Sequence, residues 1–321
     1  MNSFESKWQE LTSRGLSSTQ WRLLPDHKLN FFISLSAAGK REVTIVIPGV
    51  SQAPAELPKF ANIDIISLTK AGDLNLVLTL ADELLQRSFS VMCLDIAERS
   101  EIGHDALVAC DVVMKALRDW ADLFKRKRDG GLSRSEAMGL WGELHVLGEL
   151  LSAFAGGELE LLNGWRGPHG DQRDIGLNGV RLEIKTQLAT KTKSLGISSL
   201  DQLDDRGEHL FVALERVSSS VDGISLSTLI SDLYSRLATN SAAQTAFERK
   251  IELSGYVEGS ATSHDRLELD EQILFHVRAD FPRLTPHNVD NGITAATYTI
   301  SGARLDEFDV PWDLLQESMN G

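Results

Sequence analysis

The sequence predicts an α/β protein whose core runs in the order helix, β-hairpin, helix and strand. Asn178-Gly179, a strong signal for a two-residue hairpin turn, lies between two segments of alternating apolar residues. A helix-capping pattern at Ser133 precedes this hairpin, and the segment 209–215, apolar from 210 to 214, follows it. With 321 residues, the chain can form one large core or two modest ones. We predict three regions, comprising residues 1–100, 101–220 and 221–321.

The first 100 residues are predicted to form an α+β region. Two pairs of short apolar segments each flank a glycine-containing turn, and a helix is expected to follow at about 82–98. The predicted strands cover residues 31–35, 43–47, 63–68 and 74–78. No residue pattern typical of catalysis or ligand binding occurs here, so an interaction role is the default interpretation.

Charge and composition exclude several classes of protein. The net charge of −14 argues against a protein that coats nucleic acid through charge alone, although a nuclease with a local basic groove remains compatible with it. The two cysteines, Cys93 and Cys110, lack the spacing of a zinc site. The N-terminal residues lack the apolar segment of a signal peptide, and no apolar run approaches membrane length. We therefore expect a cytoplasmic protein.

A basic cluster, residues 125–128, ends a predicted helix that begins near residue 104. It is followed by Gly130-Gly131. One interpretation is structural, because cations are favoured at a helix C-terminus and glycine commonly ends a helix. Contact with phosphate groups is the alternative.

A helix with a clear capping box is predicted to begin after Ser133, with Glu136 as the reciprocal cap. Glu143 lies at the border of its apolar face, whereas His145 and Glu149 are expected to point away from that face. Glu143 is either a glutamate at the edge of the core or an acid that reaches a metal from beneath the hairpin. The apolar face comprises Leu140, Leu144, Leu147, Leu151 and Phe154.

The two-residue turn fixes the register of the hairpin. Residue 177 should face residue 180, which makes Asp174 and Glu183 cross-strand neighbours with Cβ atoms roughly 5 Å apart. Lys185 is expected on the same face as these two acids. The opposite face is apolar and comprises Ile175, Leu177, Val180, Leu182 and Ile184.

Opposed carboxylates repel each other, and a divalent cation such as magnesium removes that repulsion. A lysine beside them can orient water or contact a phosphate. This arrangement predicts a metal-dependent phosphodiesterase. The alternative is a half-buried hairpin with a solvated, mixed-charge outer face. His169, in the turn-rich loop 165–170, is a candidate phosphate ligand or base, or simply a solvated side chain.

The segments after the hairpin complete the predicted core and a C-terminal extension. A short helix is expected near 198–203, and a strand at 209–215. Lys191, Lys193 and Arg166 are further candidates for phosphate contact, and Arg283 and His287 could border a groove. The extension is predicted to contain helices at 226–237 and 242–253 and strands at 272–277 and 295–300.

The order helix, hairpin, helix and strand, with a glutamate on the first helix and Asp…Glu-x-Lys on the hairpin, resembles the PD-(D/E)XK nuclease superfamily. The resemblance implies a restriction-endonuclease-like core consisting of a helix, a mixed sheet and a second helix. More narrowly, the sequence resembles the bacterial DUF4420 branch over residues 1–315. The segments that carry this resemblance are 139–144, 165–168, 174, 183–186, 200–203, 280–284 and 292–293.

The resemblance assigns roles to individual residues. It implies that Asp174 and Glu183 are metal ligands, that Lys185 is the catalytic lysine and that Glu143 is an accessory acid and ligand. Gln202 is implied to orient the site or the substrate. The chain departs from the superfamily name at Arg173, which replaces the proline before the aspartate.

The same resemblance implies an activity and partners. These are Mg²⁺- or Mn²⁺-dependent DNA endonuclease activity within a bacterial restriction or anti-phage system, alongside helicase-like or MORC/MutL-like ATPases. A homo-oligomer is also compatible with the sequence. Two alternatives remain open, namely a nuclease fold that binds DNA or a partner without cutting, and an interaction subunit.

Overall fold

The computed structural model describes residues 3–15, 19–52, 54, 56–101, 106–128, 130–154, 156–167 and 174–320. The chain forms two compact units, residues 1–129 and residues 130–321. This division does not coincide with the predicted limits after residues 100 and 220. The third helix packs on the second helix inside the first unit, and a C-terminal strand pairs within the sheet of the second unit.

The first unit contains a five-stranded antiparallel sheet and three helices. The sheet order is β1-β2-β3-β5-β4, and the expected strand pairs form around both predicted turns. A 3₁₀ turn at Glu83–Leu85 precedes the second helix. The elements are α1 (Ser3–Ser13), β1 (Trp21–Leu23), β2 (Asn30–Leu35), β3 (Arg41–Ile47), β4 (Ile63–Lys70), β5 (Asp73–Leu80), α2 (Gln86–Ser100) and α3 (Ala106–Arg128).

Period-two alternation explains the sheet of the first unit. In β5, every second residue from Leu74 to Leu80 is fully or almost fully buried, and the intervening side chains are partly exposed. A two-residue turn, Ala71-Gly72, joins β4 to β5, and both of its φ angles are positive. Such a turn matches the twist of a hairpin.

The second unit contains a four-stranded mixed sheet in the order β10-β9-β7-β6 and a two-stranded sheet of β8 and β11. Strands β7 and β9 are parallel, and the other pairs are antiparallel. The elements are α4 (Arg134–Ala153), α5 (Glu158–Gly164), β6 (Ile175–Leu177), β7 (Val180–Leu188), β8 (Ser194–Ile197), β9 (His209–Ser225), α6 (Leu226–Arg236), α7 (Ser241–Leu253), β10 (Arg266–His276), β11 (Tyr298–Ser301) and α8 (Trp312–Asn320).

The mixed α/β class is therefore confirmed, but the short helix predicted near residues 198–203 is wrong. This fully described segment forms a turn. The side chain of Gln202 accepts a hydrogen bond from the backbone N–H of Ser198 at 2.8 Å, and Leu200 and Leu203 are buried. A helix of so few residues would form too few backbone bonds to offset the cost of nucleation.

Close packing of α4 on β7 sets the position of Glu143. The predicted capping box of this helix is confirmed, because Ser133 and Glu136 cap each other. A Cβ atom on Gly142 would overlap Oγ1 of Thr186 on β7, so only glycine permits this approach. Within the described residues, no helix has both the length and the apolar character needed to span a membrane.

Candidate active site

The hairpin forms as predicted. Leu177 faces Val180 and Ile175 faces Leu182, and the turn residues Asn178 and Gly179 have φ angles of 51° and 76°. Asp174 lies immediately before β6. Its Oδ2 accepts a hydrogen bond from the backbone N–H of Ile184 at 2.6 Å, which fixes the carboxylate against β7. The apolar face packs into the core that also contains the inner face of α4.

Glu183 and Lys185 lie side by side on β7. Glu183 is only 3 % exposed, and its Oε1 lies 2.7 Å from Nζ of Lys185. The same oxygen accepts a hydrogen bond from Nε2 of Gln202 at 3.0 Å. Gln202 therefore contacts the site, as the resemblance implies, and it orients Glu183.

Glu143 reaches the same place from α4. Its Oε2 accepts a hydrogen bond from Nε1 of Trp165 at 2.8 Å. A Cβ atom on Gly167 would overlap this oxygen and lie 3.2 Å from Oδ1 of Asp174. The absent side chain of Gly167 thus leaves a space that both carboxylates border. The structure brings together all four predicted catalytic residues.

Burial and mutual repulsion shift the pKa values of two of these acids. Burial, together with the negative charges of Asp174 and Glu183, raises the pKa of Glu143 to about 8, against the hydrogen bond from Trp165. Burial also raises the pKa of Asp174 to about 6, although the N–H of Ile184 and the charge of Lys185 favour its ionised form. Among the described residues, Lys185 is the cation whose charge acts on both Glu143 and Asp174, so three carboxyl groups lie around it.

The donor chemistry of this site suits a hard divalent cation, because every available ligand is a carboxylate oxygen. The candidate ligands are Asp174, Glu183 and Glu143. In the described part of the chain, however, no three Asp, Glu, His or Cys side chains converge closely enough to hold an ion as they stand. Lys185 forms an ion pair with Glu183 and thereby offsets part of the negative charge of this carboxylate.

Comparison with protein families decides the relationship of this chain. A family model described as "Putative PD-(D/E)XK family member" (DUF4420) matches residues 4–302. The chain belongs to this family. Comparisons with curated proteins and with solved structures gave no match. The predicted resemblance is thereby confirmed over most of the chain.

The sequence analysis did not predict the roles of two residues that support the candidate site of this PD-(D/E)XK family member. Trp165 is fully buried, holds Glu143 and stacks on Phe247 of α7. Lys250, also on α7 and 6 % exposed, donates a hydrogen bond to the carbonyl of Trp165. Burial lowers the pKa of Lys250 to about 7, and the charges of Arg249 and Arg166 contribute. A lysine on the buried stripe of an amphipathic helix was the available signal.

A second group of acids lies on the other side of α4. His145 and Glu149, expected to point away from the apolar stripe, instead contact the sheet. Nδ1 of His145 lies 2.8 Å from Oε2 of the fully buried Glu215, and Gln272 donates to Glu149 at 2.6 Å and to Glu215 at 2.9 Å. The expectation was wrong because β9 and β10 cover this flank of the helix. We call Glu149, Glu215, His145 and Gln272 the structural cluster.

Several other candidate residues are paired elsewhere or lie outside the described residues. Lys193 pairs with Asp306, and Arg283 pairs with Asp205. His287 lies 3.8 Å from Asp204. His169 and Arg173 fall in residues 168–173, and the side chains of 126–128 are likewise outside the described part of the chain.

Proposed function

We propose that this protein is a metal-dependent DNA endonuclease that hydrolyses phosphodiester bonds. The observation that carries the proposal is the meeting of Glu143, Asp174 and Glu183 beside Lys185, within the part of the chain that the structure describes. Such a concentration of carboxyl groups destabilises the fold unless a cation or bound protons offset it. Family membership supports the same conclusion.

Each residue has a distinct role in this proposal. Asp174, Glu183 and Glu143 would hold the divalent ion, either Mg²⁺ or Mn²⁺. Such an ion supplies a bound water of lowered pKa and neutralises charge on the phosphate. Lys185 orients the attacking water and stabilises negative charge that develops on the phosphate oxygens. Gln202 keeps Glu183 in place, and Trp165 does the same for Glu143.

The charge distribution supports a nuclease that depends on partners. Residues 130–321 contain 16 lysine and arginine residues against 29 aspartate and glutamate residues. Non-specific DNA affinity comes mainly from cations that displace counterions from phosphates, so this unit gains little of it. The low affinity is compatible with delivery of DNA by a partner, and the family resemblance implies that this partner is an ATPase of a bacterial restriction or anti-phage system.

One observation favours a second candidate, an inactive nuclease fold that binds DNA or a partner. Lys185 forms an ion pair with Glu183, and the described acids do not lie close enough together to coordinate a metal ion as they stand. In a binding-only protein, the lysine would serve as the permanent counter-charge of the site. Metal binding distinguishes the two candidates, because only the nuclease requires the lysine and the acids to accommodate an ion.

A cleavage assay tests the proposal. Plasmid and single-stranded DNA are incubated with the protein and Mg²⁺ or Mn²⁺, with and without a candidate ATPase partner. We expect metal-dependent cleavage that Lys185→Ala abolishes. The matched control is Lys115→Ala, which removes the same charge from an exposed position of α3. Equal cleavage by wild type and Lys185→Ala would contradict the assigned site.

A further inference from the structure

Strand β4 forms one edge of the sheet in the first unit. Ala81 donates its N–H to the carbonyl of Asn62, and the register pairs Ile63 with Leu80. In an antiparallel pair, hydrogen-bonded and non-hydrogen-bonded positions alternate. The even-numbered residues of β4 therefore direct their backbone groups towards β5, whereas the odd-numbered residues direct theirs outward. Among the described strands, none pairs with this outer edge.

The side chains of β4 form an exposed row on one face. Ile66 is 55 % exposed and Leu68 is 54 % exposed, although both are large and apolar. Asp64 precedes them and Lys70 follows them on the same face, and both are exposed as well. The opposite edge strand of the sheet, β1, has only three residues. A longer exposed edge strand with apolar side chains is a template for pairing with another chain.

The exposed side chains of β4 are complementary to those of a second, antiparallel copy of the same strand. When two copies of β4 are placed antiparallel about Ser67, Asp64 lies opposite Lys70 of the second copy, and Ile66 lies opposite its Leu68. This alignment also places the outward backbone groups of Ser67 against those of its own counterpart. Hydrogen bonds, apolar contacts and opposite charges are therefore all satisfied in a single register.

We propose that β4 pairs with β4 of a second copy of this chain, so that two five-stranded sheets form one continuous ten-stranded sheet. The contact has the two-fold symmetry expected of a homodimer. It does not depend on the proposed nuclease activity. Because the contact is small, we expect a dissociation constant on the order of 10 µM, with dimer formation that depends on concentration.

Mass measurement of the full chain tests the dimer. Light scattering should show the mass rising from 35.3 kDa towards twice that value as the protein is concentrated. Ser67→Pro removes the central outward N–H without disturbing a bond to β5, so we expect it to remain monomeric. Ser67→Ala keeps this N–H and is the matched control. Circular dichroism and thermal melting show whether each variant folds.

Charge reversal tests the alignment. Asp64→Lys or Lys70→Asp alone places like charges opposite each other at two symmetric positions, and we expect the dissociation constant to rise about tenfold. Combining both substitutions in one chain restores opposite charges and should restore the wild-type dissociation constant. Failure of the combined variant to recover dimer formation would contradict the register.

Disulfide trapping gives a separate test of the same register. A cysteine introduced by Ser67→Cys would meet its own counterpart across the symmetry axis at a Cα separation of about 5.5 Å, which suits a disulfide. A cysteine introduced by Thr69→Cys would not meet its own counterpart. The native Cys93 and Cys110 are buried and should not cross-link the folded protein. A wild-type protein of 35.3 kDa at every concentration, or a dimer unaffected by Ser67→Pro, would overturn the proposal.

Discussion

Helix α4 separates two groups of partly or fully buried acids. The groups differ in the hydrogen-bond donors and positive charges that lie beside the carboxyl groups. On one side is the site cluster, comprising Glu143, Asp174, Glu183 and Lys185. On the other is the structural cluster, in which Gln272 contacts both acids and His145 contacts Glu215. In the described part of the site cluster, three carboxyl groups instead lie around Lys185. Burial of acids is common to both clusters, so the candidate site differs from the structural cluster in the hydrogen-bond and charge partners of its acids.

Activity should show the largest difference between the clusters. We expect Asp174→Asn to reduce DNA cleavage about a thousandfold, because the variant loses a metal ligand and its charge. Glu215→Gln, in the structural cluster, should leave cleavage by the folded protein unchanged. Initial rates with Mg²⁺ measure both effects. A comparable loss of cleavage in both variants would remove the functional distinction between the clusters.

Stability without metal should change in opposite directions. Glu143→Gln removes one of three repelling acids and should stabilise the protein, on the order of 2 kcal/mol at pH 8.5. Glu215→Ala leaves His145 without its carboxylate and should destabilise the protein by about 3 kcal/mol. Urea unfolding of metal-free protein measures both values. Destabilisation by Glu143→Gln would show that this acid is not electrostatically strained.

The pH dependence of stability sharpens the same comparison. Because the pKa of Glu143 is about 8 in the folded state and near 4.5 when unfolded, the folded protein binds this proton more tightly. Glu143 therefore contributes favourably to the free energy of unfolding at low pH, and this contribution is lost as the pH rises towards 8. His145, whose pKa is also raised, acts with the same sign, and Lys250, whose pKa is lowered, acts with the opposite sign.

The difference between wild type and Glu143→Gln reports Glu143 together with its interaction with Asp174 and Glu183, since the contributions of His145 and Lys250 cancel. We expect wild type to lose stability relative to this variant between about pH 5 and pH 8. Thermal melts of metal-free protein across this range measure the difference. If the stabilities of wild type and Glu143→Gln changed equally with pH, the raised pKa of Glu143 would be contradicted.

The smallest predicted effect concerns the two tryptophans that contact the clusters, Trp165 beside Glu143 and Trp141 beside His145. Trp165→Phe removes the N–H that holds Glu143 and should lower cleavage about fivefold, the cost of one hydrogen bond of roughly 1 kcal/mol. Trp141→Phe is the matched control, because its N–H donates to the carbonyl of Ile224 and it stacks on His145. Comparing kcat with KM shows whether Trp165 positions the reacting groups, since a purely structural loss would leave kcat per folded molecule unchanged.

Local sequence signals made the site cluster predictable. The Asn178-Gly179 turn and the period of two fixed the register, and hence the proximity of Asp174, Glu183 and Lys185. The capping box positioned α4 and thereby Glu143. The structural cluster was not predictable, because Glu215 meets His145 only through the packing of β9 on α4. The same holds for Lys250, which reaches Trp165 from a helix far along the chain.

Metal binding tests the central claim most directly, since it requires neither DNA nor a partner. In titration calorimetry with Mn²⁺ at pH 8, wild type should bind an ion and release protons, because Glu143 is partly protonated there. Asp174→Asn should abolish this binding, and Glu215→Gln should retain it. Absence of Mn²⁺ binding by wild type, or binding that Asp174→Asn leaves unchanged, would contradict the assignment of the site cluster as a metal-dependent nuclease site.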